Sequence, residues 1–334
     1  MFNTNLIKTP CYVIDEAKLI KNLEILKTVQ DRTDCKILLA QKAFSNFNFY
    51  PLIGKYLAGT TASGINEAML CHNYMPYAEN HIFAPAFTEK DMAEIVKICD
   101  HIVFNSPSQL LRFGRMAKEA GKSVGLRINP ECSTQEGHEI YDPCAQGSRM
   151  GTTRVQWDEA IVKNPELMEL LDGVHFHTLC EQDSDDLETT LASVKKQFGD
   201  LIAKVKWINF GGGHHITRPG YDIERLEQCI RMAQEEWKVE VYLEPGEAWA
   251  LNAGFLLTSV LDVLKNGDTQ IAIVDASAAC HMPDVLEMPY LPPLLGTDET
   301  EEGGITVRLG GPTCLSGDCL LYTSPSPRDY AASR

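Results

Sequence analysis

Lys42 stands just past the short apolar run Lys36-Ile-Leu-Leu-Ala. A lysine at the exit of a buried strand is placed to be an amine nucleophile, because burial lowers its pKa and frees the lone pair. A surface lysine opening a loop is the plainer alternative. Further along, Gly211-Gly-Gly213 lets backbone N–H groups approach a phosphate closely, or is simply a turn. Glu244, ahead of Pro-Gly, offers a carboxylate at a strand end. His175-Phe-His177 puts two histidines on one strand face, and His214, His215, Glu244 and Asp275 could complete a metal site with them. Arg127 and Arg149 are either site residues or ordinary ion-pair partners.

These side chains need strands to carry them. Short β-rich runs lie at Lys36–Ala40, Gly59–Ala62, His81–Ala84, His101–Phe104, Ser123–Ile128, Gly173–His177, Lys206–Phe210 and Glu240–Leu243. Helix-like segments fall between them: Asp91–Cys99, Ser108–Ala120, Trp157–Lys163, Asp186–Phe198 and Ile223–Trp237. Strands alternating with helices in this way predict an α/β protein with a parallel (β/α)8 barrel over residues 16–250. Lys42, Ser63, Arg127, His177, Gly211–Gly213 and Glu244 all fall at or beyond the C-terminal ends of these strands, where barrel enzymes build their sites.

Outside the barrel the pattern changes. A strand over Thr9–Asp15 and later runs at Phe255–Leu264, Thr269–Val274 and Ile305–Leu309 predict a second, mostly β domain from residues 1–15 and 251–319. The acidic run Thr297–Glu302 reads as a solvated loop. Residues 320–334 show neither alternation nor a helical face, and are expected to be a non-native tail of adapter or frameshifted sequence.

Composition narrows the function classes. A net charge of −16 argues against a nucleic-acid footprint and suits a cationic small molecule. No run approaches the roughly 18 apolar residues of a membrane span, and the first residues lack a signal-peptide pattern. Eleven cysteines, an odd number without Cys-x-x-Cys pairing, predict reduced thiols in a cytoplasmic protein.

Six segments carry a resemblance when taken together: Thr9-Pro-Cys-Tyr-Val-Ile-Asp15, Val174-His-Phe-His-Thr-Leu-Cys-Glu-Gln182, Asn209-Phe-Gly-Gly-Gly-His-His215, Glu244-Pro-Gly-Glu247, Asp275-Ala-Ser-Ala-Ala-Cys-His-Met-Pro-Asp284 and Gly311-Pro-Thr-Cys-Leu-Ser-Gly-Asp318. The chain resembles the pyridoxal-phosphate decarboxylases of the alanine-racemase-like fold (fold type III), and among them most the carboxynorspermidine decarboxylases. The resemblance implies that Lys42 holds pyridoxal 5'-phosphate as an imine and that an ionised Glu244 keeps the pyridine nitrogen protonated. It implies phosphate binding by Gly211, Gly212, Gly213 and Gly246, stacking of His177 on the ring, and polar support from Arg127 with help from Arg149. Ser63 and Glu67 match the family's Ser/Glu region after the second barrel strand, with Glu67 ordering the pocket. Cys314 is implied to reach across the interface of a homodimer with shared active sites and to help protonate the intermediate. Family members continue into further strands where this chain turns into its odd tail.

Substrate choice departs from that of ornithine decarboxylase. Leu315 follows the reactive cysteine where that enzyme has aspartate, and Glu247 replaces the arginine of Glu-Pro-Gly-Arg. A glutamate there suits a cation rather than a second substrate carboxylate. Glu181, Glu247, Asp284, Glu287 and Asp318 are therefore expected to meet the amines of a carboxy-polyamine through charge-assisted hydrogen bonds. The rival readings are a decarboxylase of ornithine, arginine or diaminopimelate, a metal-dependent barrel hydrolase, and a non-catalytic pyridoxal-phosphate carrier.

Overall fold

The computed structural model describes residues 6–135, 142–287, 290–295 and 307–321. The chain divides into two units, Glu16–Ala253 and a smaller one made of Met1–Asp15 with Gly254–Arg334. The smaller unit contributes the first strand, β1 (Cys11–Ile14).

The larger unit is a closed barrel of eight parallel strands in chain order: β2 (Lys36–Ala40), β3 (Gly59–Ala62), β4 (Glu79–Phe83), β5 (His101–Phe104), β6 (Ser123–Arg127), β7 (Gly173–His175), β8 (Trp207–Asn209) and β9 (Glu240–Leu243). Most of their residues are buried on both faces, as expected for parallel strands covered by helices. Several boundaries differ from expectation. β4 begins at Glu79 rather than His81, and β7 and β8 stop at His175 and Asn209, which leaves His177 and the glycine triplet in loops.

The surrounding helices start where local chemistry allows. Pro107–Glu119 opens on Ser106, whose hydroxyl accepts the Gln109 N–H, with proline pre-set for the first turn. Arg154–Lys163 carries a capping box between Thr153 and Gln156. Ile223–Trp237 is capped by Asp222 and turns Leu226, Ile230, Ala233 and Trp237 inward at helical spacing. Ser184–Ile202 outruns the expected 186–198 at both ends.

Inside the barrel Leu38, Val103, Trp207 and Tyr242 form one packed cluster. Gly173 makes room for the Trp207 indole, which any side chain at that position would overlap. The interior is thus a filled core rather than a pore, and ligand access belongs to the loops.

In the smaller unit β1 pairs antiparallel with β10 (Gly254–Leu257). β11 (Val260–Asn266), β12 (Thr269–Val274), β13 (Val307–Gly310) and β14 (Cys319–Leu321) make a second sheet, antiparallel except for the β12–β13 pair. The strand expected over Phe255–Leu264 is broken at Thr258-Ser259, where the Asp275 carboxylate accepts the Thr258 hydroxyl and the Ser259 N–H. The expected tail begins too early: Cys319 and Leu321 pair with β13, and Leu320 is buried against Val274, Ala276 and Ala278. The loop at 297–302, Ile305 and residues 322–334 lie outside the described residues. Among the described residues, no helix is long and apolar enough to cross a membrane.

Candidate active site

At the C-terminal mouth of the barrel, one cavity of about 260 Å³ is lined by Lys42, Ser63, Arg127, His177, Gly212 and Glu244. Six separately predicted residues thus converge on one space, near the roughly 300 Å³ lower end for small-molecule pockets. Arg149 and Met150 also reach it, as do Phe83 and His175, which sequence reasoning did not assign to a cofactor pocket.

Glu244 follows β9 and is buried. Burial alone would raise its pKa, but the His175 ring and the Asn209 amide hold it down at about 2, so the carboxylate stays ionised. His175 Nε2 lies 3.2 Å from Oε2, and Asn209 Nδ2 donates to Oε1 at 2.7 Å. Burial, opposed by the Glu244 charge, lowers the pKa of His175 itself. The neutral ring then directs Nε2–H to the carboxylate, while its face stacks on Phe83 at 5.5 Å.

His177 Nδ1 accepts the Gly212 N–H at 3.0 Å, so that nitrogen is unprotonated. Burial, then the charges of Lys42 and Arg127, drives its pKa well below the ordinary histidine value. A neutral imidazole presents a flat face without adding charge. Arg127, buried at the end of β6, donates to the His177 carbonyl at 3.0 Å and sits 4.7 Å over the Phe83 ring. Burial lowers its pKa to about 10, which leaves it protonated at neutral pH.

The glycine triplet is a device for close approach. Gly213 has φ +85°, and a Cβ there would overlap the Leu179 carbonyl. A Cβ on Gly212 would stand 2.5 Å from the Glu244 carbonyl oxygen. Two of the triplet's N–H groups are already used, Gly211 on Asn209 Oδ1 and Gly212 on His177 Nδ1.

Other expected residues fall elsewhere. Lys42 is exposed in the turn after β2, so the burial expected of it is not found. Glu67 stays outside this cavity and accepts the Ser63 N–H at 2.6 Å, ordering the turn after β3. Gly246 is likewise outside, close against Ala43, and a Cβ there would come within 2.9 Å of the alanine methyl. Glu181 is exposed, with φ +54°, and Glu247 lies 3.3 Å from His215 Nε2. Cys314, Asp318, Asp284 and Glu287 belong to the smaller unit. There Cys314, Asp284 and Glu287 are exposed, and Asp318 is buried. Asp318 takes hydrogen bonds from Ala278 N–H at 2.7 Å, the Ser277 hydroxyl at 3.0 Å and the Thr313 hydroxyl at 2.6 Å. Through these bonds the residue anchors the turn that carries Cys314.

The alternative metal set does not assemble. Asp275 is in the smaller unit, with its carboxylate taken by Thr9, Thr258 and Ser259. His175 Nε2 faces Glu244 and His177 Nδ1 accepts the Gly212 N–H. Among the described residues, donor atoms with metal-ligand spacing occur in Glu79, His81 and His101, at the opposite end of the barrel strands. Those two imidazoles stack at 4.0 Å with planes 5° apart. An ion in the plane of one ring would stand far out of the plane of the other, so ligation needs a ring to turn.

The mouth of the barrel thus joins the Lys42 amine, an ionised buried carboxylate, a neutral flat imidazole and a glycine turn in one cavity. The chain belongs to the pyridoxal-dependent decarboxylases: the family described as "Pyridoxal-dependent decarboxylase, C-terminal sheet domain" matches residues 11–331. It is 41% identical over 325 residues to the carboxynorspermidine/carboxyspermidine decarboxylase of Campylobacter jejuni, covering 94% of this chain and 82% of that protein. The carboxyaminopropylagmatine decarboxylase of Synechocystis is 36% identical over 315 residues, covering 94% and 79%. The crystal structure of carboxynorspermidine decarboxylase with norspermidine from Campylobacter jejuni superposes with a TM-score of 0.84 at 38% identity, covering 94% of this chain and 83% of that one.

Proposed function

We propose that the chain uses pyridoxal 5'-phosphate to decarboxylate carboxynorspermidine to norspermidine, and carboxyspermidine to spermidine, in polyamine biosynthesis. The observation that carries this reading is the convergence of Lys42, His177, Gly212 and Glu244 on one cavity, in a chain 41% identical to an enzyme of that name. When bound, the cofactor supplies the electron sink that the loss of carbon dioxide beside an amine requires.

The chain's own residues divide the remaining work. Lys42 offers the amine that attaches the cofactor and gives way to the substrate amine. Glu244, ionised and buried, holds a proton on the ring nitrogen. His177 would offer the cofactor an uncharged ring face, and Arg127 supports His177 through its carbonyl while stacking on Phe83. Gly212 and Gly213 let the backbone come close to the phosphate, and Ser63 and Glu67 order the opening after β3. The proton that replaces the departing carboxylate is assigned to the Cys314 thiol, which this reading places at the active site of a second copy in a homodimer. Glu181, Glu247, Asp284 and Glu287 supply the negative charge that a polyamine requires. The free state of all eleven cysteines supports a reducing, cytoplasmic setting.

The Synechocystis relative supports a second reading, with carboxyaminopropylagmatine as the substrate. The test is carbon dioxide release from the full chain with pyridoxal phosphate and each candidate in turn. Carboxynorspermidine and carboxyspermidine are expected to react fastest. Faster turnover of carboxyaminopropylagmatine selects the second reading, and faster turnover of ornithine or diaminopimelate overturns both. Asp284→Asn should raise KM more than it lowers kcat; unchanged kinetics would remove Asp284 from the substrate site.

A further inference from the structure

We propose that Asn209 is a positioning residue whose single buried amide orients the Glu244 carboxylate and pins the glycine turn, so that both ends of the cofactor cavity are set by one side chain. This inference deepens the pyridoxal-phosphate reading and rests on it for the cofactor's identity.

Asn209 is the last residue of β8 and is fully buried. Its Nδ2 donates to Glu244 Oε1 at 2.7 Å, and its Oδ1 accepts the Gly211 N–H at 2.8 Å. The amide has only one workable orientation. Gly211 N–H can only donate, so it needs the oxygen, while the ionised Glu244 can only accept, so it needs the NH2 group. A flip would set donor against donor and acceptor against acceptor. Glu244 N–H donates in turn to the Gly211 carbonyl at 2.7 Å, closing a triangle between the end of β8, the glycine turn and the end of β9. With His175 on Oε2 and Asn209 on Oε1, the plane of the carboxylate is fixed. Asn209 and Glu244 are both buried, so a lost partner would leave a polar group unpaired away from bulk solvent, and the triangle depends on this amide.

Two substitutions separate the two duties. Asn209→Asp keeps an oxygen for Gly211 but turns a second carboxylate on Glu244, and two such groups share one proton at neutral pH. Asn209→Ala removes both bonds. In cofactor-free protein, the melting-temperature deficit of N209D relative to wild type should shrink as the pH falls from 8 to 5, since the native pair takes up a proton that the unfolded chain does not. The deficit of N209A should stay constant across the same range. With pyridoxal phosphate, N209A should bind roughly tenfold more weakly. N209D should bind nearly as well as wild type at pH 8, while kcat falls on the order of 10²-fold as the carboxylate loses its aim. Identical pH profiles for the two variants would overturn the orienting role, and unchanged cofactor affinity in N209A would overturn the pinning role. A wild type that binds no pyridoxal phosphate, beside an N209D that still recovers in acid, would sink the cofactor reading and leave the positioning role standing.

Discussion

His101 should make the barrel acid-sensitive well above the usual carboxylate range. Its ring sits at the start of β5, stacked on His81 at 4.0 Å and 5.3 Å from Trp207. Burial, then the charge of His81, pushes its pKa from 6.5 down to about 3. The folded protein therefore keeps His101 neutral where the unfolded chain would protonate it. Stability from this group is fully present above pH 6.5 and is lost as the pH falls from there toward 3. The loss is about tenfold in the folding equilibrium per pH unit, on the order of 3 kcal/mol by pH 4.5. His101→Phe keeps an aromatic ring in the stack and removes the ionisation. Urea unfolding can be followed by tryptophan fluorescence, since all four tryptophans lie in the barrel unit. The wild type should lose on the order of 3 kcal/mol more than the variant between pH 7.5 and 4.5. Equal losses in the two proteins would refute the claim that His101 is buried in its neutral form.

Two further outcomes follow from local geometry. Gly213→Ala forces a side chain into φ +85° and against the Leu179 carbonyl, and should lower barrel stability by about 1–3 kcal/mol while weakening pyridoxal-phosphate binding; an unchanged urea midpoint would contradict the close approach. Asp318→Ala leaves the Ala278 N–H without its partner, at a cost of about 1–3 kcal/mol. It should speed proteolytic cutting between residues 311 and 318 and lower kcat through Cys314, and cutting at the wild-type rate would contradict the anchoring role.

The barrel was legible because its strands are short β-rich runs, six of the eight followed by a residue type suited to chemistry. Lys42 and Glu244 could be singled out on that basis, and the cavity contains both. Residues that matter through their partners were harder to see. Asn209 reads as an ordinary strand-end polar residue until the barrel closes and brings β8 beside β9, with Asn209 paired to Tyr242, two residues before Glu244. His175 suggested a metal ligand because its carboxylate partner lies 69 positions away. The start of β4 was misplaced for a related reason. Glu79 and Asn80 look like loop residues, yet Lys36 at 2.6 Å and His81 at 3.0 Å hold Glu79 in the sheet.

Burial was the other quantity the sequence could not supply. Lys42 was expected inside and is exposed, whereas Asp318 was expected to meet substrate and is enclosed by three donors. Asp318 is enclosed by partners some 40 positions away, Ser277 and Ala278, which no local pattern reveals. Position along the chain therefore identified residues that gather at the C-terminal mouth of the barrel but not how buried or partnered each of them is.

The central claim is that the amine of Lys42 attaches pyridoxal phosphate at this mouth. The most direct measurement is borohydride reduction of the protein loaded with pyridoxal phosphate, followed by mass mapping of the modified peptide, beside the visible spectrum of wild type and Lys42→Ala. The account predicts one pyridoxyl group on Lys42 and a visible band that the variant lacks. Modification spread over other lysines, or a band that survives in Lys42→Ala, would contradict it.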